Sequence, residues 1–259
     1  MRRRKAILIA MGAVLALAAT PAWALYIETS YVGTFDGEDD GVWTWSHSDP
    51  SRITGDPLSS SVAFSMVNGQ LNVLLSNNSP GPTSDLADVL QGVFFNAPGL
   101  GLTGYSVALG NGSTLVPDDV GNVANLQGWA YRDDLDTGDP NPFALVYDVT
   151  HGIGNPGLDT FGKSDAFDPD FWPNHPPYGI VSPDTTLSNG ISQAPMVNHS
   201  LLFTFDVDGT FDLANIRDDV VFHYGTTANV IPEPATMTLL GLGVAGLGVR
   251  RFVSRKKKA

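Results

Sequence analysis

The feature that most restricts the fold is a period of two in hydrophobicity, interrupted by a residue pair suited to a tight turn. In Ser61–Met66 the apolar Val62, Phe64 and Met66 alternate with small residues, and a second run, Gln70–Ser76, follows Asn68 and Gly69. A period of two puts such side chains on one face of a strand. Asn-Gly tolerates positive φ at both central positions of a two-residue turn, so the segment reads as a β-hairpin. A second hairpin is expected from Leu201–Val207 through Asp208 and Gly209 into Thr210–Leu213. Val89–Phe95, Tyr105–Leu109, Gln127–Tyr131, Phe143–Val149 and Val220–Tyr224 read as further strands, separated by clusters of Gly, Pro, Asn and Asp. No long segment carries a 3.6-residue apolar period. Leu86–Leu90 and Leu213–Ile216 suit at most one helical turn. The predicted fold is therefore all-β: an antiparallel, jelly-roll-like β-sandwich with long loops over residues 25–229. The longest loop, Gly152–Pro195, holds seven prolines. The chain has no cysteine, so no disulfide can brace this body and its core must hold it.

The formal charge of −13 conceals a segregation of charge along the chain. Arg2, Arg3, Arg4 and Lys5 lie at one end, and Arg250, Arg251, Arg255, Lys256, Lys257 and Lys258 at the other. Between Leu25 and Ile231 only Arg52, Arg132, Lys163 and Arg217 oppose 26 acids, a net charge of −22. A body this acidic repels phosphate backbones, which excludes nucleic acid as a partner. It suits solubility and an environment rich in divalent cations.

Both termini read as transport signals. The four N-terminal cations precede an apolar stretch, Ala6–Ala19, and Ala22 and Ala24 flank Trp23 as an A-x-A cleavage site. Residues 1–24 are thus a secretory signal peptide, helical in its apolar part and removed by signal peptidase. At the other end, residues 230–259 form a three-part segment: Pro232, Glu233 and Pro234, an apolar stretch over 235–249, and a basic tail over 250–258. The prolines keep the backbone extended and poor in hydrogen bonds, a form that a protease or transpeptidase can grip. The 15 residues of Ala235–Val249 would span roughly 22 Å as a helix, short of the ~30 Å of a hydrocarbon core. A single transmembrane helix there relies on snorkelling cations or a thinned bilayer. Its basic end stays cytoplasmic, leaving the acidic body outside.

Pro232-Glu233-Pro234, Thr236, the Leu239-Leu240-Gly241 start of the apolar span and the closing Arg250-Arg251 resemble the PEP-CTERM sorting signal. The resemblance implies recognition by exosortase, a membrane enzyme, and cleavage near the Pro-Glu-Pro motif. It implies export across the inner membrane, a transient inner-membrane anchor, and then the cell surface or extracellular matrix. It also implies association with exopolysaccharide and biofilm. Short segments of the body, among them Gly92–Asn96, Gly128–Tyr131 and Val220–Gly225, are similar to pieces of other PEP-CTERM ectodomains. These are common β patterns and carry no site residues across.

Within the body, Asp133, Asp134, Asp136 and Asp139 form the leading candidate site for Ca²⁺, the one cofactor the sequence suggests. Oxygen-rich loops suit a hard cation, although Asp139 stands where the EF-hand pattern needs Gly. Asp36, Glu38, Asp39 and Asp40, and Asp206 with Asp208, are further clusters that ordinary turn chemistry also explains. Trp43 and Trp45, two residues apart, would share a strand face, and Trp172 lies in an aromatic, Asp-bearing loop; all three are candidate glycan contacts. The same spacing also suits core packing. There is no G-x-S-x-G elbow, no H-E-x-x-H and no thiol, so no catalytic residues are assigned and the body reads as non-catalytic. The alternative is a carbohydrate-active enzyme using two of its Asp residues, or a Ca²⁺-dependent lectin-like module, on the same anchor.

Overall fold

A computed structural model describes residues 30–118, 120–133, 135, 147–155, 161, 167, 179–186, 195–216 and 220–225. All lie in one compact unit, Tyr26–Ala228. The other unit, Met1–Leu25 with Asn229–Ala259, contains the expected signal peptide and sorting signal and lies outside the described residues. Among the described residues no helix is long and apolar enough to cross a membrane.

The described residues form fourteen strands in two sheets. One sheet has six strands in the spatial order β2 (Thr34–Asp39), β3 (Val42–His47), β4 (Ser60–Val67), β5 (Gln70–Asn77), β13 (Ser200–Val207) and β7 (Leu102–Leu109). The other runs β1 (Ser30–Val32), β14 (Val221–Tyr224), β6 (Leu90–Phe95), β11 (Ile180–Val181), β12 (Met196–Asn198) and β8 (Thr114–Val116). In this second sheet β10 (His151–Gly154) also pairs with β6 and carries β9 (Ala130–Arg132). Every described pairing is antiparallel except β11 with β12. The sandwich expectation holds. The jelly-roll connectivity is met only in part: β2 to β5 form a meander within one sheet, whereas the chain afterwards crosses between sheets, as at β5–β6, β6–β7, β12–β13 and β13–β14.

The Asn68-Gly69 turn forms as expected, with φ of 53° and 82°, and joins β4 to β5. Both values lie in the left-handed region that a primed turn demands. The hairpin predicted at Asp208-Gly209 does not form. Both edges of β13 are occupied, by β5 and by β7, so a following strand has nowhere to pair. Leu213–Asn215 is instead a 3₁₀ turn whose N-terminal Asp212 accepts from the Ala214 amide, and Leu213 enters the core. The helical turn expected near Leu86 is also present, at Leu86–Asp88. Gln127 lies in a 3₁₀ turn, Leu126–Gly128, so the strand expected over Gln127–Tyr131 shrinks to β9. Of Phe143–Val149, residues 143–146 lie outside the described residues, and Tyr147–Val149 is not in a strand.

The inward faces follow the period of two. Trp45, Val62, Phe64, Leu71, Val73, Leu75, Phe203 and Phe205 of the six-stranded sheet are buried against Val93, Phe95, Ile153, Phe222 and Tyr224 of the other. Ring pairs lock the two layers: Phe64 meets Phe95 at 5.0 Å and Phe203 meets Trp129 at 5.3 Å. Each such large side chain contributes about 1.5–3 kcal/mol by leaving water. The second sheet is also covered on its outer side, where Phe94, Ala130, Leu135, Val149, Phe161 and Val221 form a separate cluster. This is why β6 is buried along its whole length, unlike an alternating strand.

The outer face of the six-stranded sheet is built differently. The register places Thr44, Ala63, Leu74, Leu202 and Ala108 in one row across five strands. Val42, Ser65, Asn72, Thr204 and Ser106 form the adjoining row. These residues are half-buried or exposed, and none is ionisable.

Candidate functional site

The sorting-signal residues Pro232, Glu233, Pro234, Arg250 and Arg251, and the signal-peptidase residues Ala22 and Ala24, lie outside the described residues. The last described strand is β14, held between β1 and β6, and the Gly225 amide donates to the Val89 carbonyl at 2.8 Å. Six residues then separate Gly225 from Pro232. The motif therefore follows closely on a strand anchored deep in the body.

Trp43 and Trp45 do share a face of β3, with ring centroids 6.4 Å apart. That face points inward. Trp45 is 1% exposed and meets Phe64 edge-on at 5.6 Å, so a sugar ring cannot stack on it. Trp43 is half-buried, with Phe35 stacked on it at 5.3 Å. The pair is an aromatic ladder closing the sandwich edge, and the glycan contact expected of Trp45 is corrected accordingly. Trp172 lies outside the described residues. Of the Ca²⁺ candidates, Asp133 is exposed, and Asp134, Asp136 and Asp139 lie outside the described residues. Among the described residues no three His, Asp or Glu side chains converge as metal ligands would.

The other acidic clusters are used locally. Asp40 and Gly41, with φ of 49° and 76°, make the turn between β2 and β3. Glu38 accepts from the Gly41 amide at 2.8 Å, and Asp36 accepts from the Ser46 hydroxyl at 3.0 Å. Asp206 accepts from the Gln70 side-chain amide at 2.8 Å.

Polar side chains that sequence reading missed gather at one end of the sandwich. Asp88 is 3% exposed, and the Thr54 hydroxyl lies 2.8 and 3.0 Å from its two carboxylate oxygens. Burial raises its pKa above the usual carboxylate value, while hydrogen bonds from Ser51 and Thr54 oppose the shift. Asp88 borders an open pocket of about 300 Å³ with Asp56, Ser79, Thr83 and Ser84. Nearby, the His47 ring lies 4.5 Å from that of Tyr31, and its Nδ1 is 3.7 Å from the Asp49 carboxylate. Burial lowers the His47 pKa; Asp49 opposes this and Arg52 adds to it.

Ser60 faces His47 across β3 and β4, which brings together the residue types of a Ser–His–Asp triad. The geometry is wrong for one. The Ser60 hydroxyl is fully buried, His47 Nε2 has no hydrogen-bond partner among the described residues, and 3.7 Å exceeds hydrogen-bond reach. His223, fully buried, has its pKa lowered to about 3 by burial, and its Nδ1 lies 3.0 Å from the Ser30 hydroxyl. The Asp88 pocket left little trace in sequence, because an Asp inside Leu86–Val89 looks like an ordinary turn residue.

No curated protein and no solved structure matches the chain. A family model does: the PEP-CTERM protein-sorting motif matches residues 230–251, the Pro-Glu-Pro, the apolar span and the paired arginines. The motif marks an exported, membrane-associated cell-surface protein sorted by exosortase. The chain is a PEP-CTERM domain-containing protein.

Proposed function

We propose that exosortase processes this chain near Pro232-Glu233-Pro234 after signal peptidase has cut behind Ala24, and that the acidic sandwich is then displayed at the surface or in the extracellular matrix. The body acts there as a non-catalytic module in contact with exopolysaccharide. The apolar span of 235–249 holds the protein transiently in the inner membrane, with Arg250 and Arg251 on the cytoplasmic side. The observation that carries this reading is the sorting-motif match over 230–251. The body's charge of −22, set between cationic ends, supports it as well. The Glu233→Ala variant tests it. Fractionation with an immunoblot should show an unprocessed, membrane-held species of higher mass than the product of the wild-type chain. Unchanged processing and release in Glu233→Ala would overturn the reading.

A further inference from the structure

We propose that the outer face of the six-stranded sheet is a docking platform for an uncharged polysaccharide chain, laid across the strands along the row Ala63, Leu74, Leu202 and Ala108. Among the described residues this is the broad sheet face left open, because the second sheet is covered on its outer side. From Thr44 on β3 to Ala108 on β7 the row crosses five strands, about 19 Å at the usual strand spacing. It presents aliphatic surface, and the row beside it presents Ser65, Asn72, Thr204 and Ser106. A sugar polymer has that same composition, with C–H faces flanked by hydroxyls that both donate and accept. The hydroxyls of Thr44, Ser65 and Ser106 make no hydrogen bond to described residues, so they are available.

Charge selects the occupant. The two rows hold no ionisable side chain, while Asp36, Asp39 and Asp206 stand at the border of the face. An anionic polymer meets a body of charge −22 with no cation on the platform to pair with it. A second copy of this chain would bring another −22 to the same border. A neutral polymer meets neither penalty. The inference rests on the export reading for its biological setting, since such a polymer is met outside the cell. Its test is made on purified protein and does not depend on processing.

The full chain in non-ionic detergent is run through native gels containing dextran, galactomannan, a β-1,3-glucan or alginate. The expected result is retardation by at least one neutral polymer and none by alginate. Ser65→Glu and Thr204→Glu, which place an unpaired charge against the bound chain, should weaken retardation about tenfold. Thr210→Glu, which adds the same charge at an exposed site off the face, should leave it unchanged. Urea midpoints check that each variant folds, and Thr44→Gln, bulkier without charge, replaces a variant that does not. Three results overturn the proposal: no retardation by any neutral polymer, equal loss with Thr210→Glu, or a sedimenting dimer that Ser65→Glu dissociates. The last of these would give the face to a second copy.

Discussion

Acid should weaken this body through His223, and the size of the effect follows from its burial. The ring is 0% exposed within the second sheet, where it pairs with Ser30 on one side and Gly92 on the other. Burial takes its pKa from 6.5 to about 3. The unfolded chain therefore binds more protons than the folded one across that window. Stability from this group is complete above pH 6.5 and falls as pH drops toward 3. Each unit of pH below 6.5 costs about 1.4 kcal/mol, so moving from pH 7.5 to 4.5 removes about 3 kcal/mol through His223. That is a large part of the ~5–15 kcal/mol that holds a domain of ordinary stability. Other groups titrate too. His47, also lowered, acts in the same direction. Asp88, raised by burial, acts in the opposite one, and protonating other carboxylates relieves the self-repulsion of the body. A comparison with His223→Asn, whose amide can still reach the Ser30 hydroxyl, cancels these shared terms. Urea unfolding at pH 7.5 and 4.5 should show the wild-type protein losing about 3 kcal/mol more than the variant. Equal losses in the two proteins would refute the argument, because they would mean that the imidazole is solvated or paired when protonated.

Two further perturbations test the packing. Trp45→Ala should cost about 3–5 kcal/mol by urea unfolding, as the ring fills the space against Phe64, while Trp43→Ala, at a half-buried position, should cost clearly less. Equal costs would mean that Trp45 is not the inner member of the ladder. Gly92→Ala should lower the thermal midpoint sharply, because the new Cβ would sit 2.7 Å from the Ile153 carbonyl oxygen and 3.0 Å from Gly154 Cα on β10. Those are backbone atoms in a covered sheet, and relieving such overlap costs about 1–3 kcal/mol; a midpoint within a degree or so of wild type would show that β6 and β10 are farther apart.

How far the fold was legible depended on whether a signal was local. The Asn68-Gly69 hairpin was readable because turn residues and alternation lie within sixteen residues, Ser61 to Ser76. Asp208-Gly209 offered the same dipeptide logic and misled, because the occupancy of both β13 edges is a long-range fact. The hairpin at Asp40-Gly41 was equally local, but its strand β2 is Thr34–Asp39, too acidic and too poor in alternation to read as a strand. Trp43 and Trp45 illustrate a different gap. Their spacing fixes that they share a face, and only the pairing of β3 with β4 decides that this face is the inner one. For the Ser60–His47 juxtaposition and the Asp88 pocket, the partners lie on segments that meet only after folding. The sorting signal was legible for the opposite reason: it is read as a linear segment and needs no tertiary context.

The charge imbalance also explains where the acids sit. An acidic side chain on an inner strand would have cross-strand neighbours about 4.5–5.5 Å away, and like charges there are destabilising. With four cations available to 26 acids in the body, almost no such neighbour could be neutralised. Among the described strands the acids are accordingly confined to the edge strand β2 and to Asp206 near the end of β13. The rest occupy turns and loops, where water solvates them. The outward positions of β3, β4 and β5 are left to Ser, Thr, Asn and small or aliphatic residues. The same restriction that keeps the sheet stable leaves it with an uncharged face inside an acidic rim. A neutral polymer can meet that face without first displacing a layer of bound counterions.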